Sequence, residues 1–198
     1  LNRFFVLQCF GRMPREVFFM IHVSQPMTTV PEHFSTPLQE LVYRTLTRLS
    51  IPFQRVENDP AVTMEDCQAI DDRLQMQTVK TLFLCNRQQT AFYLFVTPGD
   101  KPFRTKDFSS ALGISRVSFA SPEQLERLMG TVVGSATVFS ALLASAREVR
   151  VVFDRALADS EWYGCTDGTT TGYMKLRTRD VIDRLLPYTA HTLEWVEV

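Results

Sequence analysis

The segment Gly130–Leu143, with the sequence GTVVGSATVFSALL, places a run of small residues between two apolar stretches. The run comprises Gly134, Ser135, Ala136 and Thr137. Glycine has no Cβ and its neighbours add little bulk, so the backbone here can approach another group closely. Successive amides in such a turn can converge on an anion or a polarised carbonyl, and a helix over residues 139–146 would add a partial positive charge there. The alternative interpretation is a tight loop between two core elements.

The composition is that of an ordinary globular domain, and it argues against several functional classes. The 198 residues suffice for one sizeable core, and 45% are hydrophobic and 22% charged. A net charge of −1 argues against broad, charge-driven binding to DNA. No apolar stretch reaches about 18 residues, so no membrane partner is predicted. Four scattered cysteines without C-x-x-C spacing predict neither a metal nor another cofactor, and they favour reduced thiols in a cytoplasmic protein.

The first 34 residues differ from the rest of the chain. Two apolar stretches there are interrupted by charged residues and proline, whereas a signal peptide needs one continuous apolar stretch. The chain does not begin with Met, and Met20 and Met27 could each start a protein. Our hypothesis is that residues 1–27 are a start-site extension. Residues 1–34 are therefore assigned to an N-terminal extension, and residues 35–198 to the domain.

From residue 35 onward, capping and turn signals divide the chain into helices and strands. Thr36-Pro37 and Ser121-Pro122 each predict the start of a helix. Residues 79–85 and 90–97 predict two strands of a hairpin. The other predicted helices are 63–74, 106–112 and 178–186, and the other predicted strands are 53–57, 117–119, 149–154, 161–165, 169–176 and 192–198. This order predicts a single mixed α/β (α+β) domain with a central mixed, largely antiparallel sheet surrounded by helices.

Lys80 is the first candidate for chemistry. It lies one residue before an apolar strand segment, Thr81–Cys85, where a solvated lysine would not be needed. A lysine on the inward side of a strand must find an anion or a carbonyl. The alternative is an edge lysine that discourages strand pairing.

The second candidate is the polar turn Trp162–Thr171, with the sequence WYGCTDGTTT. Its hydroxyl groups could line a pocket, although Asp-Gly is also a common signal for a hydrated hairpin turn. No serine lies in a G-x-S-x-G context, no histidine falls in these segments, and no phosphate-binding glycine motif is present. An enzyme with this sequence would therefore act by positioning and electrostatics rather than through an activated side chain.

These segments, in this order, resemble the bacterial prolyl-tRNA editing-domain family. Its members are the ProX/YbaK-like aminoacyl-tRNA deacylases, related to the insertion domain of prolyl-tRNA synthetase. The similarity spans roughly residues 36–198. It is carried by Glu57–Glu65, Lys80–Leu84, Ala111–Glu123, Gly134–Phe139 and Trp162–Thr171.

The resemblance implies a hydrolase of mischarged tRNA, typically alanyl-tRNA with the proline anticodon. In that scheme the loop Gly134–Thr137 holds the ester carbonyl, and Lys80 anchors the substrate near the terminal adenosine. Water attacks with help from the ribose hydroxyl of the substrate. Thr166 and Asp167 would form part of the pocket, and the implied partners are the acceptor end of an aminoacyl-tRNA and prolyl-tRNA synthetase.

Several positions depart from the family pattern. Thr81 stands where Asn usually follows the lysine, and Tyr163 stands where a histidine is usual. Gly164 replaces a common proline, Asp167 a common Asn, and Val138 lies near the place of the loop proline. The leading hypothesis is a free-standing deacylase with altered amino-acid preference. The alternatives are a binding module that senses an amino acid or a charged tRNA end, and a partner domain that docks on a synthetase.

Overall fold

The computed structural model describes residues 21–198, which form two β-sheets with helices packed around them. The strands are β1 Gln54–Glu57, β2 Val79–Asn86, β3 Phe92–Pro98, β4 Val117–Phe119, β5 Arg150–Asp154, β6 Trp162–Thr166, β7 Gly172–Arg177 and β8 Leu193–Val196. The α-helices are α1 Pro37–Arg48, α2 Cys67–Leu74, α3 Thr105–Ala111, α4 Pro122–Met129, α5 Thr178–Asp180 and α6 Leu186–Tyr188. A π-helical turn, Val181–Leu185, joins α5 to α6.

The larger sheet has the strand order β4-β2-β3-β5-β8 and the smaller sheet the order β1-β7-β6. Four of the six strand pairings in the described residues are antiparallel, and β5 pairs in parallel with both β3 and β8. An isolated parallel bridge between Thr78 and Gly164 connects the two sheets. The predicted mixed α/β domain with largely antiparallel strand pairing is thus confirmed. Its strands form two sheets rather than one.

The helix and hairpin predicted from capping and turn residues are present. The Thr36 hydroxyl caps α1 by accepting a hydrogen bond from the Gln39 amide at 3.0 Å. Ser121 and Gln124 form a reciprocal capping box at the start of α4. Strands β2 and β3 pair in antiparallel register, with Lys80 opposite Thr97. These elements place Lys80 near the start of β2, the second strand of the larger sheet.

The helix considered for residues 139–146 does not form. Two 3₁₀ turns, Val138–Leu142 and Ala144–Ala146, occupy this stretch instead. Val138, Phe139 and Ala141 pack into the main core, which fixes the segment by burial rather than by a regular helix. Helix-dipole stabilisation of an anion therefore does not apply at this loop, because such a dipole requires several aligned turns.

Residues 21–34 belong to the segment assigned above to an N-terminal extension, and the structure shows where they lie. Val23 is buried and forms a bridge with Asn58, and Met27 forms a bridge with Arg55 of β1. Residues 1–20, which hold most of the predicted extension, lie outside the described residues. Within residues 21–198, no helix is long and apolar enough to cross a membrane.

Candidate active site

A cavity of about 470 Å³ lies between β2, the segment 62–64, the glycine loop and the strands β6 and β7. Five of the residues singled out from the sequence line it: Lys80, Thr81, Gly134, Ala136 and Thr166. Within the described part of the chain, Lys80 is the one charged residue on this lining. The cavity thus combines a single cation with mostly apolar walls.

The Lys80 ammonium is anchored by backbone. Its Nζ atom donates a hydrogen bond of 3.0 Å to the carbonyl oxygen of Lys101. No carboxylate of the described residues lies within 4.0 Å of it, whereas Lys101 itself pairs with the buried Asp154 at 2.7 Å. An ammonium has three N–H donors, so two N–H groups of Lys80 remain for an anion or a carbonyl in the cavity.

Gly134 occupies a backbone position that other residues fit poorly. Its φ angle is +91°, and a Cβ at this position would lie 2.9 Å from Cγ1 of Val62. Glycine is therefore required both by the backbone conformation and by the close approach of the loop to Val62. This contact closes one side of the cavity.

In the loop Gly134–Thr137, the amides of the two residues that line the cavity make no hydrogen bond within the described chain. In residues 21–198, the N–H groups of Gly134 and Ala136 donate to no acceptor, although both residues line the cavity. The amide and hydroxyl of Ser135 are used within the loop, since both contact the carbonyl oxygen of Val132 at 3.0 Å. Unpaired amides beside a cavity can donate hydrogen bonds to a carbonyl oxygen and so stabilise the negative charge that develops on it.

Thr137 joins the glycine loop to the last turn. Its Oγ1 donates a hydrogen bond of 2.9 Å to the carbonyl oxygen of Thr166. Thr166 Oγ1 in turn donates to the carbonyl oxygen of Thr169 and accepts from the amide of Gly168 at 3.1 Å. Ser135 and Thr137 are fully buried and lie behind the cavity wall, so they hold the loop in place rather than line the cavity.

Tyr163 lies in the hydrophobic core and not on the cavity lining. Its ring is fully buried and stacks on Phe153 at a centroid distance of 6.0 Å. The hydroxyl has no hydrogen-bond partner among the described residues, and burial raises the pKa of Tyr163 well above its ordinary value. The structure therefore does not bring Tyr163 together with Lys80 in one cavity.

Asp167 also lies away from this cavity. Its carboxylate accepts hydrogen bonds from Gln39 Nε2 at 2.8 Å, Tyr43 Oη at 3.0 Å and Thr169 Oγ1 at 2.8 Å. It lines a second, more polar cavity of about 280 Å³. Burial raises the pKa of Asp167, and the hydrogen bonds from Gln39 and Thr169 partly offset that rise. Asp167 thus connects α1 to the turn after β6.

Cys67, Cys165 and Tyr173 are among the cavity residues to which the sequence assigned no role, although Cys165 lies within the turn Trp162–Thr171. Burial raises the pKa of each of these groups, and protonated thiols are poor nucleophiles. Cys67 Sγ lies 3.7 Å from the Tyr173 hydroxyl. The period of two along β6 could have identified Cys165 as inward-facing. It does not identify Tyr173, which shares its face of β7 with Lys175 and Arg177, and Cys67 on α2 carries no such signal.

No histidine contributes to the cavity. His22 and His33 are exposed, and the ring of His191 contacts Thr189 Oγ1 and the Ala146 carbonyl oxygen. Within residues 21–198, no three His, Cys, Asp or Glu residues are grouped so that they could hold a metal ion. The lining thus offers a bound carbonyl or anion one cation and two unpaired backbone amides, beside neutral hydroxyl and thiol groups.

Fold and site together define a small α/β domain with a cavity suited to a carbonyl or an anion. The chain matches the family described as "Aminoacyl-tRNA editing domain" over residues 58–183. It belongs to that family, which confirms the resemblance noted from the sequence. The family consists of editing deacylases.

Individual relatives give the same result. The chain is 26% identical over 160 residues to "Prolyl-tRNA editing protein ProX" of Acetoanaerobium sticklandii, which covers 81% of this chain and 97% of that protein. The crystal structure of "a putative trans-editing enzyme for prolyl tRNA synthetase" has a TM-score of 0.60 at 18% identity, covering 83% and 99% of the two chains. A hypothetical protein of known structure has a TM-score of 0.61 at 20% identity, covering 78% and 97%. The two structures establish the shared fold.

Proposed function

We propose that this protein is a free-standing deacylase that hydrolyses, in trans, the ester of a mischarged tRNA of the Ala-tRNA(Pro) type. The observation that carries the proposal is the half-buried Lys80 ammonium, which has no carboxylate partner in the described residues and shares one cavity with the unpaired amides of Gly134 and Ala136. Membership of the editing family supports it.

In the proposed reaction the ester carbonyl lies against the glycine loop. The amides of Gly134 and Ala136 stabilise the oxyanion that forms when water attacks the carbonyl carbon. Lys80 binds the nucleotide end of the substrate. The attacking water passes its proton through the free ribose hydroxyl to the departing ribose oxygen as the ester bond breaks. The products are the free amino acid and an uncharged tRNA, and no side-chain nucleophile is needed.

Substitution of Lys80 tests the proposal directly. Lys80→Ala should lower deacylation of the cognate misacylated tRNA by about 100-fold, the order expected when a bound substrate is misplaced by about 1 Å. Lys106→Ala, which removes an exposed lysine of α3, is the matched control and should retain activity. Thermal melts show whether both variants are folded. A folded Lys80→Ala protein with undiminished turnover would contradict the proposal.

The competing candidate is a non-catalytic binding module, which the departure at Thr81 on the cavity lining favours. A panel of misacylated tRNAs separates the two functions. Absence of deacylation at high protein concentration, together with thermal stabilisation by a free amino acid, would support the binding module. Hydrolysis of one or more panel members would support the deacylase.

We further propose that prolyl-tRNA synthetase delivers the substrate. A net charge of −1 provides little long-range attraction for tRNA, so docking on the synthetase would supply the missing affinity. A pull-down with purified prolyl-tRNA synthetase tests this step independently of the deacylation assay.

A further inference from the structure

Exposed apolar side chains concentrate around the opening of the Lys80 cavity. Eight large hydrophobic residues of the described chain are exposed, and four of them line this one cavity. We define these four as the apolar rim: Val62, Met64, Phe119 and Val133. Exposed apolar side chains that gather around one cavity are typical of a ligand-binding or interaction site.

Phe119 is the aromatic member of the apolar rim, and contacts with β2 and Phe103 hold it in place. It lies on β4, where it pairs with Leu84 of β2. The ring of Phe103 contacts it at a centroid distance of 5.9 Å and an interplanar angle of 72°. Phe119 nevertheless remains 59% exposed. It therefore presents a positioned aromatic ring at the edge of the cavity.

The charge distribution limits what can bind at this opening. Lys80 is the one charged residue on the described lining, so contacts to several phosphates are not available there. Proteins that hold single-stranded nucleic acid combine cations with aromatic rings on which bases stack. A cavity with one cation and an exposed ring is suited to one phosphate or ribose group and one base.

We propose that the apolar rim is a binding subsite for the base of the terminal nucleotide of the substrate, and that Phe119 stacks on this base. The inference rests on the proposed deacylase function, because the ester must lie deeper, between Lys80 and the Gly134 loop. The base then remains at the opening, where Val133 covers it from the side of the loop.

Steady-state kinetics of Phe119 variants test the subsite. Phe119→Ala should raise KM for the misacylated tRNA about tenfold, within the range measured for loss of one stacked base, and leave kcat unchanged. Phe119→Trp should restore KM, which a general loss of packing would not allow. Tyr188→Ala removes another exposed aromatic residue that lines neither cavity and should have no effect.

A base-free substrate separates this inference from the proposed function. The same aminoacyl group esterified to ribose without a base should be hydrolysed equally by the wild type and by Phe119→Ala. If Phe119→Ala loses the same activity on both substrates, or retains the wild-type KM on tRNA, the base subsite is overturned. Neither result contradicts the proposed deacylase function. Loss of synthetase capture with an unchanged tRNA KM would assign the rim to a protein partner instead.

Direct binding provides a readout that does not depend on catalysis. A short RNA ending in CCA should bind Phe119→Ala about tenfold more weakly than wild type. The logarithm of its binding constant should fall with that of the salt concentration with a slope of about −0.7, as expected for one phosphate contact on a single strand. A much steeper slope, or equal affinity of the two proteins, would overturn the inference even if no deacylation were found.

Discussion

The Thr137 hydroxyl donates a hydrogen bond of 2.9 Å to the carbonyl oxygen of Thr166, and both groups are buried. This bond joins two segments that are 29 residues apart in the chain. One of them supplies the unpaired amides of the glycine loop, and the other supplies a wall of the same cavity. The bond therefore fixes the distance across the candidate active site.

Thr137→Val tests the importance of this bond, because valine keeps the shape of threonine and removes the donor. Leaving the Thr166 carbonyl unpaired in the interior should lower the free energy of unfolding by about 1–3 kcal/mol. The kcat of deacylation should fall as well, since the loop amides lose their position. Urea denaturation and single-turnover kinetics measure the two effects. Thr90→Val, at an exposed turn, should change stability by less than about 0.5 kcal/mol; equal effects at the two sites would refute the interpretation.

Gly134→Ala should be more destabilising than Gly113→Ala. Both glycines have positive φ angles, +91° and +64°. A Cβ on Gly134 would meet Val62 at 2.9 Å, whereas nothing lies within 4 Å of one on Gly113. The Gly113 variant therefore reports backbone strain alone, about 1 kcal/mol, and the Gly134 variant reports strain plus a clash. Chemical denaturation of both proteins measures the difference, and Gly134→Ala alone should lose deacylation.

Asp167→Asn should change the pH dependence of stability. Burial raises the pKa of Asp167 in the folded protein above its unfolded value of about 3.9. The folded state therefore binds this proton more tightly, and the stability that the group contributes is full below about pH 4 and is lost as pH rises through the folded pKa. The advantage of wild type over Asp167→Asn in unfolding free energy should shrink as pH rises from 4 to 7. Parallel stability curves would contradict this prediction.

The pKa of Asp66 is shifted in the opposite direction from that of Asp167, so Asp66 is a control for the same experiment. Hydrogen bonds from the backbone amides of Thr63 and Val62 lower the pKa of this exposed carboxyl. Its contribution is present above the unfolded pKa and is lost as pH falls through the folded pKa. The advantage of wild type over Asp66→Asn should therefore decrease between pH 5 and pH 2.

Cys67 and Cys165 should react slowly with iodoacetamide at pH 7 in the native protein. Burial raises the pKa of both thiols, and the thiolate is the reactive form. Peptide mass spectrometry should find both cysteines unmodified under native conditions and alkylated after denaturation in urea. Rapid native alkylation of either residue would show that the cavity is more open or more polar than described.

Elements with local chemical signals could be predicted from the sequence. The cap at Thr36, the box at Ser121 and the turn between β2 and β3 each depend on a few neighbouring residues, and all three are present. The parallel pairing of β5 with β3 and β8 could not be predicted, because it joins strands distant in sequence and leaves no turn signature. Residues 139–146 have a helix-compatible composition, but tertiary packing overrides the propensity.

The candidate site was predicted only in part, because the directions of its side chains depend on contacts between distant segments. Lys80, Thr81, Gly134, Ala136 and Thr166 meet in one cavity, since strand register and a glycine turn place them there. The direction of a side chain in a turn is not encoded by spacing, so Asp167 could not be placed toward Gln39 and Tyr43 in advance. Tyr163 lies two residues before the cavity residue Cys165 on β6, yet it packs into the core.

The acceptor that holds the Lys80 ammonium is a main-chain carbonyl, that of Lys101. Every amino acid carries this carbonyl, so a substitution at position 101 that preserves the backbone cannot delete the anchor. The position of the Lys80 ammonium therefore does not depend on which side chain residue 101 carries. The cavity walls can therefore change in sequence while the Lys80 ammonium stays where it is.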